Sequence, residues 1–182
     1  MPNAPSTQPL ADPDASFRVD PAVDADLESV SQLAHDIWRR HYPGIISREQ
    51  IEYMLESRYA PARLRAESAR PGRGYLIARL AGIPVGFAAL AAADDAPGEI
   101  VLRAFYLEPS HHGRGLGRRF MDHLTDLARS RGFQHISLTV NRRNIKAINF
   151  YFKAGYQIRS AVDISIGRGF TLNDFIMARR LA

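Results

Sequence analysis

The nine residues His111 to Arg119, HHGRGLGRR, place three glycines at alternate positions among three arginines and two histidines. Glycine loses more backbone freedom on folding than any other residue, so three so close together suggest that something must come very near this backbone. A helical pattern follows them. At a helix start the amides without intrahelical partners carry partial positive charge, which suits a pyrophosphate. Two familiar phosphate loops are excluded: no Lys-Ser/Thr follows as in a P-loop, and Gly113, Gly115 and Gly117 lack the dinucleotide-fold spacing. On the glycines alone, a tight turn with close helix packing remains the alternative.

Further candidates flank this loop. Glu99 and Glu108 bound the apolar run EIVLRAFYLE, with Arg103 in its middle; strand alternation could turn Arg103 toward a ligand carrying an acidic group, or it projects to solvent. Downstream, Tyr151 sits between Phe150 and Phe152, reading either as a core aromatic or as a phenolic proton donor. Asn144 is a good helix N-cap or a polar contact. There is no cysteine, which excludes disulfides, thiolate catalysis and cysteine-ligated zinc. Of the 24 basic residues, 22 are arginine, and the formal charge of +5 suggests an anionic partner unless it reflects arginine preference alone. No run of five consecutive basic residues marks a nucleic-acid arm.

The elements that must position these residues are legible from periodicity. Residues 1–15, MPNAPSTQPLADPDA, lack it and read as a flexible tail; residues 16–182 read as a single domain, 46% of the chain being hydrophobic. SFRVD is a short strand. Leu27, Val30, Leu33, Ala34, Ile37 and Trp38 form one helical stripe behind an expected N-cap at Asp24, and Ser47 opens a second helix, with a short third in APARLRAESARPG. GYLIARL, PVGFAALAA and EIVLRAFYLE make an antiparallel meander. After the glycine loop, Leu116, Phe120, Leu124, Leu127 and Ala128 recur at helical spacing. A strand, FQHISLTVN, and a helix, RNIKAINFYFKAG, follow. YQIRSAVDISI and DFIMARRL form a closing strand pair around the turn GRGFTLN. No apolar run approaches the length of a membrane span, and no secretory pattern opens the chain, so a cytoplasmic protein is expected.

FYLEPSHHGRGLGRRFMDHL resembles the acetyl-coenzyme A loop of the GNAT superfamily of N-acetyltransferases, Arg/Gln-x-x-Gly-x-Gly/Ala after a strand and a proline. Gly115 and Gly117 match, Gly113 and Arg114 fill variable positions, and His112 stands where Arg or Gln is usual. LTVNRRNIKAINFYFKAGYQI resembles the second signature of that family, with Asn144, Ala147, Tyr151, Gly155 and Tyr156 in register.

The resemblance implies a mixed α/β fold with a mostly antiparallel central sheet of about six to seven strands and helices on both faces. It implies direct transfer of an acetyl group from acetyl-coenzyme A to a primary amine of a small molecule or peptide, without a metal. By register the coenzyme would meet the backbone of Phe105 and Leu107, the loop His112, Gly113, Arg114, Gly115, Leu116, Gly117 and Arg118, and Asn144; Arg118, Arg119 and Arg142 are either phosphate contacts or solvated surface arginines. Tyr151 would protonate the departing thiolate. For the general base the candidates are Glu99, Glu108, or a water relay through Tyr106 or the His111 and His112 pair. Tyr42, Ile46, Tyr53 and Met54 would be acceptor-pocket wall or helix core. No nucleic-acid or membrane partner is expected, and a homodimer is left open. The competing reading is a non-catalytic acyl-coenzyme A sensor or a nucleic-acid-binding regulatory module.

Overall fold

The computed structural model describes residues 16–181; the expected tail, 1–15, lies outside them. The strand Phe17–Pro21 (β1) leads through a 3-10 turn into three helices, Leu27–His41 (α1), Arg48–Tyr59 (α2) and Pro61–Ser68 (α3). All six residues of the stripe read from α1 are buried. The cap is not where it was expected: Asp24 opens the 3-10 turn, and Asp26 is the acid that accepts from the Val23 amide, at 3.0 Å. Ser47 caps α2 by accepting from the Gln50 amide.

The meander consists of Gly74–Leu80 (β2), Ile83–Ala92 (β3) and Glu99–Leu107 (β4). Leu116–Ser130 (α4), His135–Asn141 (β5), Ile145–Lys153 (α5) and the hairpin Gln157–Gly167 (β6) with Phe170–Arg180 (β7) complete the chain. The final turn is tighter than GRGFTLN suggested. Gly167, Arg168 and Gly169 take positive φ and reverse the chain at once, so Phe170 to Asn173 already belong to β7. The sheet runs β1-β2-β3-β4-β5-β7-β6, seven strands in which β4 and β5 alone pair in parallel. Helices α1 to α3 pack a core against one face, including Ile77, Phe87 and Ala104, and α4 and α5 pack a second against the other, including Leu102, Leu107 and Leu138.

Two irregularities of β4 prepare the site. Leu102 opposes Leu90 while Ala104 opposes Ala89, which leaves Arg103 as an extra, bulged residue. A bulge bends its strand and ends regular pairing, and the parallel ladder to β5 stops at Leu102 and Leu138. Beyond that point the two strands splay. Gly86 of β3 lets β4 lie close: a Cβ there would stand 2.5 Å from the Tyr106 carbonyl oxygen and 3.2 Å from the Leu107 Cα. Backbone cannot yield as a side-chain tip can, so Gly86→Ala is expected to destabilise the protein by about 1 to 3 kcal/mol, read as a lower denaturant midpoint with an unchanged slope.

Candidate functional site

The splay exposes a specific row of backbone groups. The Glu108 amide donates to the Val85 carbonyl at 2.8 Å, and in an antiparallel ladder alternate residues bond the same partner. Phe105 and Leu107 therefore turn their amides and carbonyls away from β3, toward the side where β5 has departed. The Leu107 carbonyl is taken by His112 Nε2 at 2.9 Å, and His112 Nδ1 lies 3.0 Å from Lys146 Nζ. An ammonium can only donate, so Nδ1 accepts, the ring proton sits on Nε2, and the histidine ties β4, the glycine loop and α5 together.

Gly113 and Gly115 have φ of +78° and +79°, and Gly115 stands immediately before α4. No heavy atom lies within 4 Å of where a Cβ would stand on either, so the loop takes a backbone shape that favours glycine while leaving open space above it. Gly117 is inside the helix, where a Cβ would stand 3.5 Å from the Phe150 ring, and Leu116 is a fully buried core residue. The arginines are committed within the protein: Arg114 to His111 at 3.3 Å, Arg118 to Asp122 at 2.9 Å, Arg119 over the Phe17 ring, and Arg142 to Asp163.

Asn144 is the cap of α5. Its Oδ1 accepts from the Ala147 amide at 3.3 Å and faces His41 Nε2 at 3.2 Å. Burial lowers the pKa of His41; the bond to Asn144 opposes this, and the charges of Lys146 and His112 add to it. A histidine whose folded pKa is depressed contributes stability above its unfolded value near 6.5, and that contribution is lost as pH falls toward the folded value. Urea titrations at pH 7.5 and 5.5 are therefore expected to show a smaller loss on acidification in His41→Gln than in the wild type.

Tyr151 is 8% exposed, with its ring centroid 5.6 Å from those of Phe150 and Tyr156 and 6.4 Å from that of Phe105. Burial, then the neighbouring Tyr156, pushes its phenol above the ordinary range and keeps it protonated. The Tyr42 and Tyr106 hydroxyls lie 3.3 Å apart. These groups line one cavity of about 1330 Å³ that runs from Gly113, Gly115 and Gly117 past Tyr151 to α1, α2 and α3. That exceeds the few hundred to about 1000 Å³ of an ordinary small-molecule pocket. Tyr42, Ile46 and Met54 are on its wall; Tyr53 is not, its hydroxyl bonding the Ile166 carbonyl.

The two candidate glutamates fare differently from expectation. Glu99 lies at the opposite end of β4 from the loop and outside the cavity. Burial works to raise its pKa, but bonds from Ser137 and Arg159 outweigh burial and hold the carboxylate below the usual range, which suits an ion pair and not a base. Glu108 stands just before the 3-10 turn at Pro109, 4.0 Å from Arg40, and is also outside the cavity lining. Two acids do line the cavity: Glu67, paired with arginines, and Asp174, 6% exposed, with Oδ1 lacking any hydrogen-bond partner. Sequence reasoning misses Asp174 because a closing turn as long as GRGFTLN puts it at a solvated strand start. The tighter turn sets it mid-strand, opposite Asn141 of β5. Among the described residues no three acidic or histidine side chains cluster as metal ligands do, and no helix is long and apolar enough to cross a membrane.

Residues 30–156 match the model of the Acetyltransferase (GNAT) family. The chain is 29% identical over 156 residues to an uncharacterised N-acetyltransferase of Mycobacterium bovis, covering 86% of this chain and 98% of that one. It is 24% identical over 159 residues to a spermidine N(1)-acetyltransferase of Thermoplasma acidophilum, covering 85% and 91%. In fold it is similar to the crystal structure of the PaiA N-acetyltransferase of Thermoplasma acidophilum in complex with coenzyme A, with a TM-score of 0.76, 24% identity, and coverage of 91% of this chain and 99% of that one.

Proposed function

The chain belongs to the GNAT acetyltransferase family, and from that premise we propose that it transfers the acetyl group of acetyl-coenzyme A directly to a primary amine of a small molecule or peptide. The observation that carries this reading is the splay after Leu102: it leaves the Phe105 and Leu107 backbone facing a cavity that opens at the other end onto the left-handed glycines before α4. That arrangement fits the coenzyme, an extended chain of amides ending in a pyrophosphate. Such an arm can bond a strand edge, and its phosphates suit helix-start amides.

Acetyl-coenzyme A supplies the activated thioester. The Leu107 amide is oriented to bond a carbonyl oxygen lying in the cleft and to stabilise negative charge developing on it. Gly113, Gly115 and the first amides of α4 hold the pyrophosphate. Asn144 positions α5, and hence Tyr151, by capping the helix and bonding His41. As the N–C bond forms and the C–S bond breaks, Tyr151, held protonated by burial, donates to the leaving sulfur. The proton shed by the acylated nitrogen passes to solvent, from which the phenol is restored. His112 contributes by fixing the loop to β4, with both ring nitrogens engaged, and not by reaching the phosphates.

We assign residues 16–182 to one catalytic domain and place the enzyme in the cytoplasm. For the homodimer, β6 offers an outer strand exposed along most of its length, of the kind that pairs with another chain. The regulatory reading draws no support from the relatives, which carry acetyltransferase names.

The test is turnover of acetyl-coenzyme A against a panel of amines, following free thiol and the mass of the acetylated product together. Matched appearance of both is expected for at least one amine. Tight coenzyme binding with no thiol release from any amine would leave the protein a sensor.

A further inference from the structure

Burying a carboxyl oxygen without a hydrogen-bond partner is costly, and Asp174 Oδ1 is so placed inside the cavity, beside the stretch of β5 from which β4 has separated. Burial raises its pKa while Arg58 and Arg142 oppose the rise, yet neither arginine forms an ion pair with it among the described residues. The coenzyme is anionic and has no use for a carboxyl at this point. An ammonium group does.

The region of the cavity bounded by α2, α3 and β4 has the opposite charge. Arg70, Arg73 and Arg103 all turn to Glu67, with Arg103 at 3.8 Å and Arg70 at 3.4 Å. One carboxylate cannot neutralise three guanidinium groups. Arg58 and Arg63 also line this region and pair with no acid among the described residues. The bulge in β4 that precedes the splay is what delivers Arg103 to this side.

We propose that the acetyl acceptor is an amine carrying an anionic group on the same molecule, with Asp174 receiving the ammonium end and the arginine rim of α2, α3 and β4 receiving the anion. The proposal rests on the amine-acetylating reading and names its substrate class. A polyamine would set its second cation against the rim. An amine with a neutral tail would leave the excess positive charge of the rim uncompensated and gain less from the site.

Primary amines of one chain length, ending in phosphate, carboxylate, hydroxyl or a second amine, separate these cases. Thiol release gives kcat/KM for each, and calorimetry gives binding of each to the protein saturated with coenzyme A. The anion-ended amines are expected to exceed the hydroxyl-ended one at least tenfold, with the diamine lowest, and the gap should narrow at high salt. The phosphate and carboxylate arms tell which anion is preferred. Arg63→Ala combined with Arg103→Ala should shrink the gap, and Asp174→Asn should raise KM for every amine at least tenfold with little change in coenzyme affinity. Release of thiol with no dependence on end charge, or with the diamine preferred, would overturn the substrate class and leave acetyl transfer standing. If no amine releases thiol, the transfer reading falls, and the calorimetric ranking decides the proposal by itself. An unchanged KM in a folded Asp174→Asn removes that residue from recognition.

Discussion

Tyr151→Phe is expected to lower the rate of acetyl transfer by about 10²- to 10⁴-fold, the range typical of a positioned proton donor, while melting temperature and coenzyme affinity stay near wild type. The substitution removes one hydroxyl and keeps the ring among Phe105, Phe150 and Tyr156, so a residue that only packs would change neither quantity. A fall in kcat and kcat/KM together, with KM steady, would mark an interaction made in the transition state. Because burial holds the phenol protonated above its ordinary range, the wild-type pH–rate profile should carry no descending limb from this group below about pH 10. The measurement requires conditions in which chemistry limits the rate. A Tyr151→Phe enzyme turning over at the wild-type rate would move the acid elsewhere, first to the Tyr42 and Tyr106 hydroxyl pair in the same cavity.

The second large effect concerns the loop. At 100 times its dissociation constant a ligand bound only to the folded state stabilises by about 2.7 kcal/mol, which for a domain of this size is a rise of about 5 to 11 °C in Tm. Acetyl-coenzyme A is expected to produce that rise in the wild type and little of it in Gly115→Glu. Two faults combine in the variant: a side chain at φ +79°, where L-residues are strained, and a carboxylate in the open space we assign to phosphate. Gly115→Asn separates them, since asparagine tolerates the left-handed region without adding charge, and it should retain much of the ligand-induced shift. A Gly115→Glu protein stabilised as strongly as the wild type would remove the pyrophosphate from this loop.

Much of the architecture can be read in advance because its signals are local. The stripe of α1, the meander of β2 to β4, the Ser47 cap and the glycines before α4 each depend on residues within a turn or two of one another. What escapes depends on pairing across distance. Glu99 reads as a candidate base because it bounds the same strand as the loop, but β4 is nine residues long and Arg159 of β6 claims the carboxylate. His112 reads as a ligand contact until Lys146 and the Leu107 carbonyl engage both its nitrogens. Asp174 escapes because β7 begins at Phe170, four residues before the apolar alternation becomes visible in the sequence. Its neighbour across the ladder, Asn141, is 33 positions earlier in the chain, and no local pattern announces that meeting.

The bulge at Arg103 has an evolutionary side. Substitutions at this position change one side chain, but a deletion here would change the chain's phase: the ladder with β3 would become regular, β4 would lose its bend, and the free amides of Phe105 and Leu107 could zip to β5 past Leu102. Such a deletant would gain hydrogen bonds as it closed its own cleft, emerging well folded and inert. The length of this strand is therefore under a constraint that no inventory of side chains reveals, and indels in β4 should be purged by selection for activity even where stability would welcome them.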